Sequence, residues 1–210
     1  MRRFLSLLPA LLMAGCATLS PEQCRNADWR QIGFSDGANG ASAARINDHA
    51  KACAETGVRP DLDGYLRGRE QGLVNYCRPE NGFAVGRGGS FPNAADCPES
   101  MKPAFMDQYR RGQEIHLLES DLAQRRSRIY ENNSRMRRDD ERIARIREEL
   151  RKKDLPDDQR KALLDEFERL VERKNASGRE NAFLMPEVDR LQFHLQMRLR
   201  ESGYWREPVS

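Results

Sequence analysis

Residues 115–150 read IHLLESDLAQRRSRIYENNSRMRRDDERIARIREEL. Ile115, Leu122, Ile129, Met136, Ile143 and Leu150 recur every seven residues without a miss. Such a repeat keeps one stripe of a helix apolar and marks a coiled-coil seam. The companion positions are Leu118, Arg125, Asn132, Asp139, Ile146 and Lys153, polar through the middle. The spacing predicts a helix of about 40 residues, roughly 60 Å long at 1.5 Å per residue.

Asp154-Leu155-Pro156-Asp157-Asp158 breaks that helix and opens another. Proline suits a helix start, and the acids suit its positive end. Beyond the break, Leu163, Leu170, Ser177, Leu184 and Leu191 hold one register. Phe167, Lys174, Asn181, Val188 and Leu195 hold the other, again with a polar middle. Folding back at Leu155 sets Ile143 beside Phe167, Met136 beside Lys174 and Ile115 beside Leu195, so the two polar middles coincide. The expectation is an antiparallel helical hairpin with a loose centre near Gly178. Pro186 is expected to kink the returning helix or split it in two.

Composition changes near residue 110. From Arg110 to Lys174, 35 of 65 residues are charged; from Cys16 to Tyr109 only 22 of 94 are. Twelve of the fifteen Gly lie between Gly33 and Gly112, and no Cys follows Cys97. The expected division is a signal peptide over 1–15, a Cys/Gly-rich domain over 16–112 and a charged helical arm over 113–210. The 36 basic and 33 acidic residues nearly cancel across the 210-residue chain. A balanced chain lacks the electrostatic footprint of a nucleic-acid binder, despite a pI of 8.7.

The first sixteen residues carry an address. Arg2 and Arg3 precede an apolar stretch from Phe4 to Met13, too short to span a bilayer. Leu12-Met13-Ala14-Gly15-Cys16 resembles the lipobox of bacterial lipoproteins. That resemblance implies cleavage before Cys16 and its acylation, palmitate included, which would make the membrane a partner through lipid. Ala17, being non-acidic, then implies the outer membrane, facing the periplasm. Setting Cys16 aside leaves Cys24, Cys53, Cys77 and Cys97, an even number suited to disulfides in an oxidising compartment. Four cysteines allow three connectivities. The preferred one joins chain neighbours, Cys24 to Cys53 and Cys77 to Cys97. His49 and Cys53 lie four apart and invite comparison with a metal pair, but no CxxC accompanies them.

The first half reads as helical. Ser20-Pro21-Glu22-Gln23 has the order of a capped helix start. Ala41 to Glu55 is helix-forming and stops at Gly57. Asp61 to Tyr76 carries Gly64, Gly68 and Gly72 on one face, where another backbone is expected to cross. Asn81-Gly82 opens a turn-rich stretch through Pro92 that suggests a short hairpin. Gly86-Arg87-Gly88-Gly89 lacks the Lys-Ser/Thr of a phosphate loop and reads as a turn. An aromatic-x-x-Gly unit recurs at Phe34–Gly37, Tyr65–Gly68, Phe83–Gly86 and Tyr109–Gly112.

These residues together with Asp28-Trp29, Gly33, Asp36, Gly40, His49-x-x-x-Cys53, Leu73 and Tyr76-Cys77 resemble a Gram-negative envelope lipoprotein family containing a domain of unknown function. The resemblance runs from about Cys16 to His116. It implies an envelope lipoprotein and supplies no activity. The expected fold is mainly α: a small disulfide-bonded helical domain followed by a long antiparallel hairpin. The expected role is structural, or protein interaction through the arm with an envelope protein. The alternative is a binding module for a small ligand, glycan or wall fragment, using Trp29, Phe34, Tyr65, Tyr76 and Phe83. An enzyme is not expected, and neither is a cofactor or metal. The three His are scattered at 49, 116 and 194, no catalytic motif appears, and Asp36 reads as a turn or cap residue.

Overall fold

The computed structural model describes residues 18–203. The signal peptide over 1–15 and the lipidation site at Cys16 lie outside the described residues. Seven α-helices follow in order: α1 Pro21–Arg25, α2 Trp29–Ala38, α3 Arg45–Cys53, α4 Leu62–Tyr76, α5 Pro79–Arg87, α6 Lys102–Leu150 and α7 Asp157–Glu201. A 3₁₀ turn, Ala54–Thr56, extends α3. No strand occurs among the described residues. The chain divides into two compact units. The first holds residues 18–85 and 90–110, and the second holds 86–89 and 111–203. The division near Arg110 falls inside α6 rather than in a linker.

In the first unit the starts follow from the sequence. Ser20 Oγ accepts from the Gln23 amide, while Gln23 Oε1 accepts from the Ser20 amide at 2.8 Å, a complete capping box. Asp28 and Asp61 cap α2 and α4, their carboxylates accepting from Gln31 and Gly64 amides at 3.0 Å. The turn after α3 ends on Gly57, whose φ of 71° is open to glycine at little cost. The disulfides join Cys24 to Cys53 and Cys77 to Cys97. Each sits in one core cluster. The first combines Cys24, Trp29, Ile46, Cys53 and Tyr65; the second combines Leu73, Tyr76, Cys77, Cys97 and Phe105.

Helices α2 and α4 cross with their backbones in contact. A Cβ built on Gly33 would overlap the Tyr65 carbonyl, and one on Gly37 the Arg69 carbonyl. The reciprocal pairs are Gly68 against the Arg30 carbonyl and Gly72 against that of Phe34. The crossing expected on α4 is therefore met at Gly68 and Gly72. Gly64 differs: it faces its own cap, Asp61.

The hairpin expected at Asn81-Gly82 is absent; both residues lie in α5. Pro79 opens that helix, and a Cβ on Gly82 would overlap the Phe105 carbonyl. The glycine serves a close helix approach, not a turn. Helix α6 is also longer than expected, 49 residues starting at Lys102. Phe105 and Tyr109 extend its buried face upstream of the heptads.

In the second unit α6 and α7 pair antiparallel, with Ile143, Ile146 and Leu170 forming an apolar cluster near the bend. Pro186 lies within α7, which is neither split nor interrupted there.

Candidate functional site

Four segments of the first unit converge on one polar cluster. Helix α2 supplies Asp36, α3 supplies His49, α4 supplies Tyr65, and the segment before α1 supplies Thr18. His49 Nε2 lies 2.8 Å from Asp36 Oδ2, and His49 Nδ1 lies 2.8 Å from Thr18 Oγ1. The Tyr65 hydroxyl donates to the same Asp36 oxygen at 2.7 Å. Tyr65 is fully buried and His49 is 4% exposed. With the ring proton on Nε2, every group is satisfied: Thr18 donates to Nδ1, and His49 and Tyr65 both donate to the carboxylate. Burial chiefly pushes the Tyr65 hydroxyl above its usual range, and the bond to Asp36 adds to the shift. Tyr65 thus remains a donor.

The order hydroxyl, imidazole, carboxylate is the one that activates a nucleophile in hydrolases. Here Tyr65 shares the carboxylate and the ring is enclosed among helices. What the cluster does within the fold is hold Thr18 against α3.

A second polar set continues along α4. Arg69 is buried; its Nε donates to the Ala41 carbonyl at 2.8 Å and it pairs with Asp96. Asn93 donates to the Gly40 carbonyl at 3.0 Å and to Asp96 at 3.1 Å, and its amide donates to the Tyr76 hydroxyl. Burial would raise the Asp96 carboxyl, but the bonds from Arg69 and Asn93, with the Arg69 charge, hold it below its ordinary value. This set ties the loop before α3 and the loop after α5 to one helix.

The aromatic residues expected to form a contact platform do not lie open. Trp29, Tyr65, Tyr76 and Phe83 are buried, and Phe34 is half-buried beside the glycine crossing. Trp29, Tyr65 and Tyr76 spend their surface on the two cores, the common fate of aromatics in a small domain. Cys53 is bonded to Cys24, so it makes no metal pair with His49. Asp36 is neither turn nor cap but the acceptor at the centre of the cluster. That grouping had no signal in the sequence, since its bonded pairs are 13 to 31 positions apart.

The second unit carries a different kind of site. The seam centre, expected to be loose, is tied by buried polar groups. Asn132 donates to Asn181 and Glu180 at 3.0 Å, and Asn181 donates to Asn133 at 2.8 Å. Asp139 is enclosed and takes a two-pronged pair from Arg173. Outside the seam, large apolar side chains face solvent. Phe183 is 68% exposed, Phe193 61% and Met197 41%. Phe183, Pro186, Phe193 and Met197 are spaced by three, seven and four, which places them on one face of α7. Leu117, Leu118, His194 and Met197 line an open groove in the same unit.

Residues 28–114 match the family described as "Protein of unknown function (DUF2799)". This is the stretch that builds the glycine crossing, the Asp36–His49–Tyr65 cluster and both disulfide cores, apart from Cys24. No curated protein and no solved structure matches the chain.

Proposed function

We propose that this protein is a lipid-anchored component of a Gram-negative cell envelope, held by Cys16 at the outer membrane, with a structural or protein-interaction role carried by its arm. The observation that carries the arm's role is the exposed apolar face of α7, with Phe183, Phe193 and Met197 outside the seam between α6 and α7. Apolar side chains set in a row on a rigid helix are the usual anchors of helix recognition. The anchor is supported by Arg2-Arg3, the apolar stretch and the Ala14-Gly15-Cys16 motif. Disulfides at the four remaining cysteines fit an oxidising compartment.

Crosslinking in intact cells, followed by affinity purification, tests this reading. Three forms are compared at equal membrane abundance: the full chain, one ending at Gly112, and one carrying Phe183→Ser with Phe193→Ser. The expected result is a specific partner captured by the full chain and lost from both others. Capture retained by the form ending at Gly112 would remove the arm from recognition.

A further inference from the structure

We infer that the first unit lies directly on the lipid headgroups, without a linker, because its core grips the chain two residues after the anchor. The inference rests on acylation of Cys16 as proposed above. Thr18 Oγ1 is bonded to His49 Nδ1, a ring 4% exposed and fixed on its other side by Asp36. Leu19 packs against the cluster of Cys24, Trp29, Ile46, Cys53 and Tyr65. Ser20 closes the capping box of α1, and Cys24 is bonded to Cys53 on the helix that carries His49. The hold therefore runs from Thr18 to Cys24 and enters the core through three separate contacts, at Thr18, Leu19 and Cys24. Two residue steps, from Cys16 to Thr18, span at most about 7 Å. A headgroup region is itself several ångströms thick, so a leash this short cannot lift the unit clear of it. The end of the unit that bears Thr18, His49 and the Cys24–Cys53 bond is the end that meets the membrane. The partner of that end is a lipid surface.

The test uses the acylated full chain with Trp205→Phe, leaving Trp29 as the one tryptophan, in vesicles carrying dansyl-labelled headgroups. Energy transfer from Trp29 is compared with that of a variant holding twelve Gly/Ser residues between Ala17 and Thr18. Such an insert adds a flexible leash of about 19 Å root-mean-square span. The expected result is strong transfer in the parent and a clear loss with the insert, both disulfides intact in each. Equal transfer in the two proteins, with acylation verified by mass spectrometry, would overturn the short-leash inference and leave the anchor standing. Absence of acyl chains on Cys16 would overturn the anchor itself, and the inference with it.

Discussion

The two units solve the same problem, holding helices together, by different physics. In the first, α2 and α4 touch backbone to backbone through Gly33, Gly37, Gly68 and Gly72, and two disulfides lock the remainder. In the second, the helices are kept apart by side chains, and the seam centre is a row of buried amides and ion pairs. Close backbone packing tolerates no added atom. A polar seam tolerates volume but demands partners. The first unit should therefore fail on steric change and reduction, and the second on loss of a hydrogen-bond partner.

The largest expected effect is reduction. Opening the loops of 29 and 20 residues should cost about 3.5 kcal/mol for each bond. Thermal unfolding with and without reductant should show the first unit lost and the helical signal of the arm retained. Next comes Gly68→Val, which forces branched carbon into the Arg30 carbonyl. It should cost at least ~3 kcal/mol and remove the first unit's cooperative transition. Gly178→Ala is the contrast: nothing lies near its Cβ position, so it should stabilise α7 by about 0.5–1 kcal/mol.

The polar seam can be broken at its centre. Asn132→Ala leaves Asn181 buried without that partner and should cost about 1–3 kcal/mol by denaturant titration. Replacing both Asn132 and Asn181 by Leu should instead raise stability while loosening the register, as apolar pairs accept more alignments than amides do.

The smallest effects are those of pH. In the arm, hydrogen bonds from Arg173 chiefly hold the Asp139 carboxyl below its ordinary value, against the opposing effect of burial. Glu166 is lowered in the same way by Arg142, and Glu180 by Arg128. A lowered folded value means that this stability is full above the unfolded value of about 4 and is lost as pH falls through the folded one. Tyr65 is raised, so its contribution is full below about 10 and is lost as pH rises. Asp96 of the first unit is lowered too, so melting followed from acid to alkali should show both units weakening in acid and the first unit, through Tyr65, weakening in alkali. Asp139→Asn should flatten the acid limb alone.

Much of the arm was legible in the sequence, because a heptad is a local pattern and a break at Pro156 leaves one way to fold back. The register it predicted agrees with the pairs Arg142–Glu166 and Asp139–Arg173. The ties across the seam centre were not legible: Asn132 and Asn181 read as interruptions until Asn132 is seen to donate to Asn181, and Asn181 to Asn133. In the first unit, glycines four apart on α4 announced a crossing, but its partner, Gly33 and Gly37 on α2, became visible only in three dimensions. Asn81-Gly82 misled because a glycine needed for close approach looks the same as one needed for a turn. Asp36, His49, Tyr65 and Thr18 left no trace as a group. Three helices and the segment before α1 must be placed before they meet.

Hydrogen exchange measured residue by residue, before and after reduction, tests the difference between the units most directly. Amides of α2 and α4 are expected to lose protection on reduction, while those of α6 from Ile115 onward and of α7 keep theirs. Parallel loss of protection in both units would contradict it, and would mean that the arm owes its structure to the disulfide-bonded unit rather than to its own seam.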